Sequence, residues 1–129
     1  VITITIPGKP FAWRRARSNG KIRFKDRATE SAEASLQAIA LAQCHAPLEG
    51  PISLDVRLCF KVPQSWSKAK HAAHLWRPHT QKPDCDNCVK HIGDSLNRIL
   101  WSDDAQIASL SVTKVWGDKD QTVIVARAM

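Results

Sequence analysis

The sequence contains no tyrosine and only three phenylalanines, so its five tryptophans carry most of the aromatic bulk. No apolar run approaches the length of a membrane span. No charged-then-apolar leader opens it, and the expectation is a soluble, cytoplasmic protein with no membrane partner. There is no G-x-S-x-G and no P-loop, which removes the serine-hydrolase elbow and the nucleotide-cradling loop from consideration. Internal repeats and low-complexity linkers are missing as well. Cysteines stand only at 44, 59, 85 and 88. With about 43% apolar residues a normal core can form, and without a secretion signal a disulfide framework is not expected. A length of 129 residues suits one domain spanning 1–129 and leaves little room for two.

What is present is basic. Nineteen Lys and Arg against twelve Asp and Glu give a formal charge of +7. Such a surplus favours a polyanionic partner, because each cation that neutralises a phosphate releases a condensed counterion. The basic residues crowd between Lys9 and Lys25, where Lys9, Arg14, Arg15, Arg17, Lys21 and Arg23 are interleaved with Phe11, Trp13, Ile22 and Phe24. That segment is expected to be a loop followed by a short extended piece that grips phosphates, with Lys82 a further DNA contact. Phe11 and Trp13 are candidates either to stack on unpaired bases or to pack against the sheet.

Periodicity predicts the elements. Val1 to Ile6 alternates as a strand, and Pro7, Gly8 and Pro10 end it. Arg27 to His45 repeats apolar residues at helical spacing behind Asp26 or Thr29 as a cap. Ile52 to Val62 is the cleanest alternating strand. Ser65 to Leu75 reads as a short polar helix, and Trp76 to Pro83 as an irregular approach in which His79 stays at the surface. A second strong helix is expected from Asp84 or Asp86 to Leu100, with Cys85, Val89, Ile92, Leu96 and Ile99 facing the core. Ile107 to Trp116 and Gln121 to Arg127 read as strands joined by Gly117 to Asp120. The fold class is α/β (α+β), with a mixed sheet and helices covering it.

Five of the twelve acidic residues, Asp84, Asp86, Asp94, Asp103 and Asp104, fall within one short stretch of this basic chain. On a helix Asp86, Lys90 and Asp94 stack at i, i+4 and i+8, away from the apolar arc. Asp84 sits at the helix start, where exposed N–H groups favour a carboxylate. A strand returning from Ile107 is expected to bring Asp104 back towards Asp84 and Asp86. Such acids can simply cap a helix and decorate a solvated face. Clustered carboxylates repel, however, unless a cation compensates. A hard divalent cation takes oxygen ligands and bridges to phosphate, which suits a basic protein that meets DNA. Lys90 then stabilises charge near the phosphate, or else merely pairs with Asp86.

The run Lys82-Pro83-Asp84-Cys85-Asp86-Asn87, with Lys90, Asp94, Leu96-Asn97 and Asp103-Asp104-Ala105-Gln106-Ile107, resembles the RusA family of Holliday junction resolvases, which are phage- and prophage-associated. The opening Ile6-Pro7-Gly8-Lys9-Pro10, with Arg14 to Arg17 and Gly20, is similar to the basic N-terminal segment of some members. The resemblance implies a homodimer that binds branched, four-way DNA and makes paired, symmetric nicks with Mg²⁺, or Mn²⁺ in its place. By position it implies catalytic roles for Asp84, Asp86, Lys90 and Asp104, and metal binding by Asp84, Asp86 and Asp104 with Asp103 as a supporting acid at the metal. Cysteines at 85 and 88 depart from the large aliphatics usual there.

Three rivals remain. Cys85 and Cys88, with His91 or His79, have the spacing of a zinc site in a non-catalytic DNA-binding module. C-x-x-C can also mark a thioredoxin-like redox centre, although no strand precedes it here. A DNA-binding paralogue or an assembly protein that keeps the fold without activity is the third, and the joint presence of Asp84, Asp86, Lys90 and Asp104 argues against it.

Overall fold

The computed structural model describes residues 1–13, 17–18, 20, 23–24 and 26–129. In chain order the elements are β1 (Ile2–Pro7), β2 (Arg17–Ser18), β3 (Arg23–Phe24), α1 (Arg27–Gln43), β4 (Ile52–Lys61), α2 (Lys68–His74), α3 (Cys85–Leu96), a 3₁₀ turn (Asp104–Gln106), β5 (Ile107–Gly117) and β6 (Gln121–Ala128). β2 and β3 form a two-stranded antiparallel ribbon. The other strands make one mixed sheet in the order β1-β6-β4-β5.

β4 takes a central place because its alternate residues Ile52, Leu54, Val56, Leu58 and Phe60 are all buried. β6 runs antiparallel along one of its edges and β5 parallel along the other. β5 and β6 therefore flank β4 instead of pairing with each other. The turn between them crosses the end of β4 and is fastened there: Lys61 N–H donates to Asp120 Oδ1 at 2.8 Å and Val62 N–H to the Gly117 carbonyl at 3.1 Å. A parallel β4–β5 pair requires a long crossover. That crossover carries α2 and α3.

α1 starts where Asp26 Oδ1 accepts from Thr29 N–H at 3.0 Å, and it buries Leu36 and Ala40. α1 packs on α3 and β1, and α3 reaches β5. Ile4, Leu54, Val56, Leu58, Leu96, Leu100, Trp101 and Ile124 fill the interior, each at most 1% exposed. Each aliphatic side chain so buried contributes about 1.5–3 kcal/mol. The opposite sheet face carries Thr3, Thr5, Asp55 and Arg57 to solvent.

Three expectations need correction. α3 stops at Leu96 and not at Leu100, because Arg98 adopts a positive φ of 71° and turns the chain. That turn, closed by Arg98 N–H donating to the Trp101 carbonyl at 2.7 Å, drops Leu100 and Trp101 into the core. The inward face of α3 is also rotated: Cys88, His91, Ile92, Ser95 and Leu96 are buried, while Cys85 and Val89 are only half-buried. The segment Pro10 to Trp13 lies along that side and covers it, Phe11 meeting the His91 ring edge-on at 4.8 Å. Finally, His79 is not at the surface. Residues 76–79 pair with the end of β5 through Trp76 N–H to the Trp116 carbonyl, Trp116 N–H to that of Arg77 and His79 N–H to that of Lys114. His79 is thereby drawn in to stack on Phe60 at 4.0 Å and against Trp116 at 4.4 Å.

Candidate active site

Asp84 is the N-cap residue of α3, but its side chain makes no capping bond. Its carboxylate instead meets Lys82 Nζ at 3.1 Å. Asp86, in the first turn, accepts from the N–H of Asn87 at 2.9 Å and stays exposed. The two carboxylates flank the exposed N–H end of α3, where negative charge is favoured. Lys90, one turn further, holds its ammonium 5.2 Å from the Trp13 ring centre. Trp13 is itself tied to the helix, its N–H donating to the Asn87 carbonyl at 2.9 Å. The basic N-terminal segment is thus led directly to the acidic end of α3.

Lys9 and Lys82 line the same clefts beside that end. Arg14, Arg15 and Lys21 lie outside the described residues. Arg17 and Arg23 belong to the β2–β3 ribbon, Arg17 opposite Phe24 and Arg23 opposite Ser18, and only their backbones are described.

Asp103 and Asp104 sit at the other end of the helix. Asp103 caps the 3₁₀ turn, accepting from Ala105 N–H at 2.9 Å. Gln106 Oε1 reaches back to the N–H groups of Ser102 and Asp103, and its Nε2 donates to the carbonyls of Leu48 and Gly50. Asp104 Oδ1 accepts from the indole N–H of the buried Trp101 at 2.6 Å. This fixes Asp104 beyond the C-terminal end of α3. Twelve helical residues rise roughly 18 Å at about 1.5 Å each.

The expectation that the returning strand gathers Asp104 with Asp84 and Asp86 is therefore not met within one chain. β5 begins opposite the first residue of β4, since Ile107 pairs with Ile52, and that start lies at the far end of α3. Among the described residues, no group of three His, Cys, Asp or Glu is placed to hold a metal ion.

The model of the endodeoxyribonuclease RusA family matches residues 7–126. This chain belongs to the RusA endodeoxyribonuclease family. It is a nuclease, and the separated aspartates belong to a RusA-like domain. The chain is similar over 137 aligned residues to the uncharacterized protein YqaN of Bacillus subtilis (strain 168), with 34% identity covering 98% of this chain and 95% of that one. It is also 28% identical over 109 residues to the crossover junction endodeoxyribonuclease rusA of Lactococcus phage r1t, covering 81% and 77% of the two chains.

The cysteines of this RusA-family chain do not assemble a zinc site among the described residues. Cys88 is wholly buried, and burial, then the neighbouring Cys85, pushes its thiol up to about 11. A thiol held protonated is a poor redox nucleophile. His91 and His79 are both kept neutral chiefly by burial, His91 against Phe11 and His79 between Phe60 and Trp116. Sequence reasoning did not single out Trp101 as the residue that positions Asp104. The signal was the sequence Trp101-Ser102-Asp103-Asp104, an indole donor three residues before a carboxylate. No helix of the described residues is long and apolar enough to cross a membrane.

Proposed function

We propose that this nuclease cuts four-way DNA junctions as a homodimer, with a divalent cation held by Asp84 and Asp86 of one chain and Asp104 of its partner. The observation that carries this reading is the split of the acids between the two ends of α3. The donor set fits a hard cation: exposed carboxylate oxygens, no thiolate and no imidazole. It is incomplete in a single chain.

The sheet offers a way to complete it. The outer edge of β5 is paired at residues 114–116 by the segment 76–79. From 107 to 113 that edge has no backbone partner among the described residues. An unpaired edge is a template for another strand. A second copy of β5, antiparallel about a two-fold axis near Leu110, extends the sheet and covers Leu110, which is 50% exposed. The partner's β5 then occupies the same lateral row as the segment 76–79. Its preceding residues, Asp103 and Asp104, run up against Gln81 to Asp86. Two equivalent composite sites result, as two opposed cuts require.

A bound Mg²⁺ or Mn²⁺ lowers the pKa of a water molecule and stabilises charge on the scissile phosphate. The chain's own residues do the rest. Trp101 holds the Asp104 carboxylate in one orientation, and Lys90 sets a cation one turn from Asp86 to meet developing phosphate charge. Asp103 is occupied as a cap and supports the loop that carries Asp104. A junction substrate is supported by the family and by the phage relative, a crossover junction endodeoxyribonuclease, and the basic surplus agrees with it.

The test is cleavage of an end-labelled synthetic four-way junction, with matched linear duplex alongside, in Mg²⁺, Mn²⁺ and EDTA. Paired nicks confined to the junction and lost in EDTA are expected. Asp86→Asn abolishes cutting and leaves junction binding intact or tighter, because it removes negative charge near DNA. Full activity in Asp86→Asn, or equal cutting of the linear duplex, overturns the reading.

A further inference from the structure

Two clefts meet beside Asp84. One, of about 390 Å³, is lined by Lys9, Pro10, Phe11, Ala12, Lys82 and Pro83. The other, of about 200 Å³, has Lys9, Lys61 and Lys82 on its walls, with His79 and Trp116 among its lining residues. Lys9 and Lys82 belong to both, so the two form one continuous track with an apolar half and a cationic half. The acid of the cationic half, Asp120, already accepts the backbone N–H of Lys61.

Of the three lysines only Lys82 meets a carboxylate among the described residues, that of Asp84. Lys114, whose ammonium donates to the Gln81 carbonyl and lies 5.9 Å from the Phe60 ring centre, adds a further cation behind the floor. His79 is 94% buried by its 6% exposure, and its Nδ1 has no hydrogen-bond partner. Burial first, and then the Lys114 and Lys9 charges, hold its imidazole neutral. Lys9, Lys61 and Lys82 are exposed and line one cleft, where like charges repel unless an anion lies among them. A phosphate suits that place, because a compact anion accepts from several ammonium groups at once.

We propose that this track receives one strand of the DNA next to the cut, a phosphate seated among Lys9, Lys61 and Lys82 and its adjoining sugar and base against Pro10, Phe11 and Pro83. Lys61 is thereby assigned to DNA binding although it lies at the end of β4, far in sequence from both the basic N-terminal segment and the aspartates. Single strands are bound in this way, by cations tracking the backbone and apolar or aromatic surfaces accepting bases. The geometry also relates the track to the chemistry. Lys82 bridges from the cleft to Asp84, so a phosphate seated there lies a short way along the strand from one at the acidic end of α3. The inference rests on the nuclease reading above in taking DNA as the ligand.

Methylphosphonate scanning tests it by affinity alone. A set of synthetic junctions, each with one phosphate near the branch replaced by a neutral methylphosphonate, is titrated with the dimeric protein in Ca²⁺, for wild type, Lys61→Gln and Lys61→Arg. Lys61 is exposed and its backbone bond is unaffected by the change, so Lys61→Gln folds. Wild type is expected to lose affinity several-fold at one or two neighbouring positions. Lys61→Gln weakens binding to the unmodified junction by a similar factor, loses nothing further at those positions, and flattens the log K against log salt slope by about 0.9. Lys61→Arg restores both. Equal losses for Lys61→Gln and wild type at every position, or an unchanged salt slope, overturn the proposal. Failure of the wild type to cut unmodified junctions would instead count against the function proposed above, and would leave this affinity test standing.

Discussion

Mixing two inactive variants gives the sharpest test of a site shared between chains. Asp86→Asn damages the α3 end of the site, and Asp104→Asn damages the end beyond Trp101. If both carboxylates served the same site from one chain, every chain in the mixture would carry a broken site, and no combination would cut. If Asp104 is donated across the two-fold axis, a heterodimer behaves differently. One of its sites takes Asp86 from the Asp104→Asn chain and Asp104 from the Asp86→Asn chain, and is intact; the other carries both substitutions. Random exchange at equal concentrations makes about half of the dimers mixed, and each then has one good site of two, so about a quarter of all sites are active. The assay is nicking of a labelled junction after the variants are unfolded together and refolded, with each variant treated alone as control. Expected are single nicks at roughly a quarter of the wild-type initial rate, with few of the paired cuts that resolve a junction. The absence of nicking in a mixture shown by native mass spectrometry to contain heterodimers would refute the shared site, and the β5 edge with it.

Trp101→Phe removes the donor that orients Asp104 and opens space at a wholly buried residue, so it should cost at least about 1.5 kcal/mol of stability, the low end for a bond to a charged group, before the packing loss is added. Urea melts measure that cost, and cutting should fall further than the lost stability explains; unchanged cutting would show that the indole bond does not matter to the site. The neutral, buried His79 and His91 have pKa values lowered from 6.5, so the unfolded chain binds their protons first as pH falls. Stability from both is complete above about pH 6.5 and is lost as pH drops from there towards the lowered values. The urea midpoint should therefore fall between pH 7 and 5, and His79→Phe should flatten part of that fall; a level midpoint contradicts the assignment. Cys88, protonated to about pH 11, should resist iodoacetamide at pH 8 in the folded protein and react once it is unfolded, as peptide mass spectrometry would show. Rapid native labelling of Cys88 would reopen the zinc reading.

Alternation made β4 legible, since a strand buried on one face must place Leu54, Val56 and Leu58 on the same side. The same argument placed α1, and it located the start of α3 from its acidic residues. It did less well where the chain's direction depends on tertiary contacts. Nothing local says that β6 passes β5 to pair with β4; that order follows from the central strand needing partners on both edges. The rotation of α3 had a similar origin. A helical wheel cannot see that Pro10 to Trp13 will cover the side bearing Cys88 and His91, and a histidine in sequence reads as polar although its neutral ring packs well against Phe11. His79 was misplaced for the same reason, its backbone being recruited to the edge of β5.

The aspartates show the limit most clearly. Their presence and order were readable, and the family follows from them, but sequence spacing implied a single cluster. The Arg98 turn and the Trp101 anchor leave Asp104 a helix length from Asp86. Taken as a monomer, that arrangement looks like a failed site. Two features argue otherwise. Trp101 directs a buried indole donor at an otherwise exposed carboxylate, which gives that carboxylate a defined orientation. And among the described residues β5 leaves its edge unpaired over 107–113, the stretch that follows that carboxylate, while 76–79 pairs with 114–116. An orientation maintained without a ligand in its own chain, next to an edge open to a second copy, is the geometry expected of half a site.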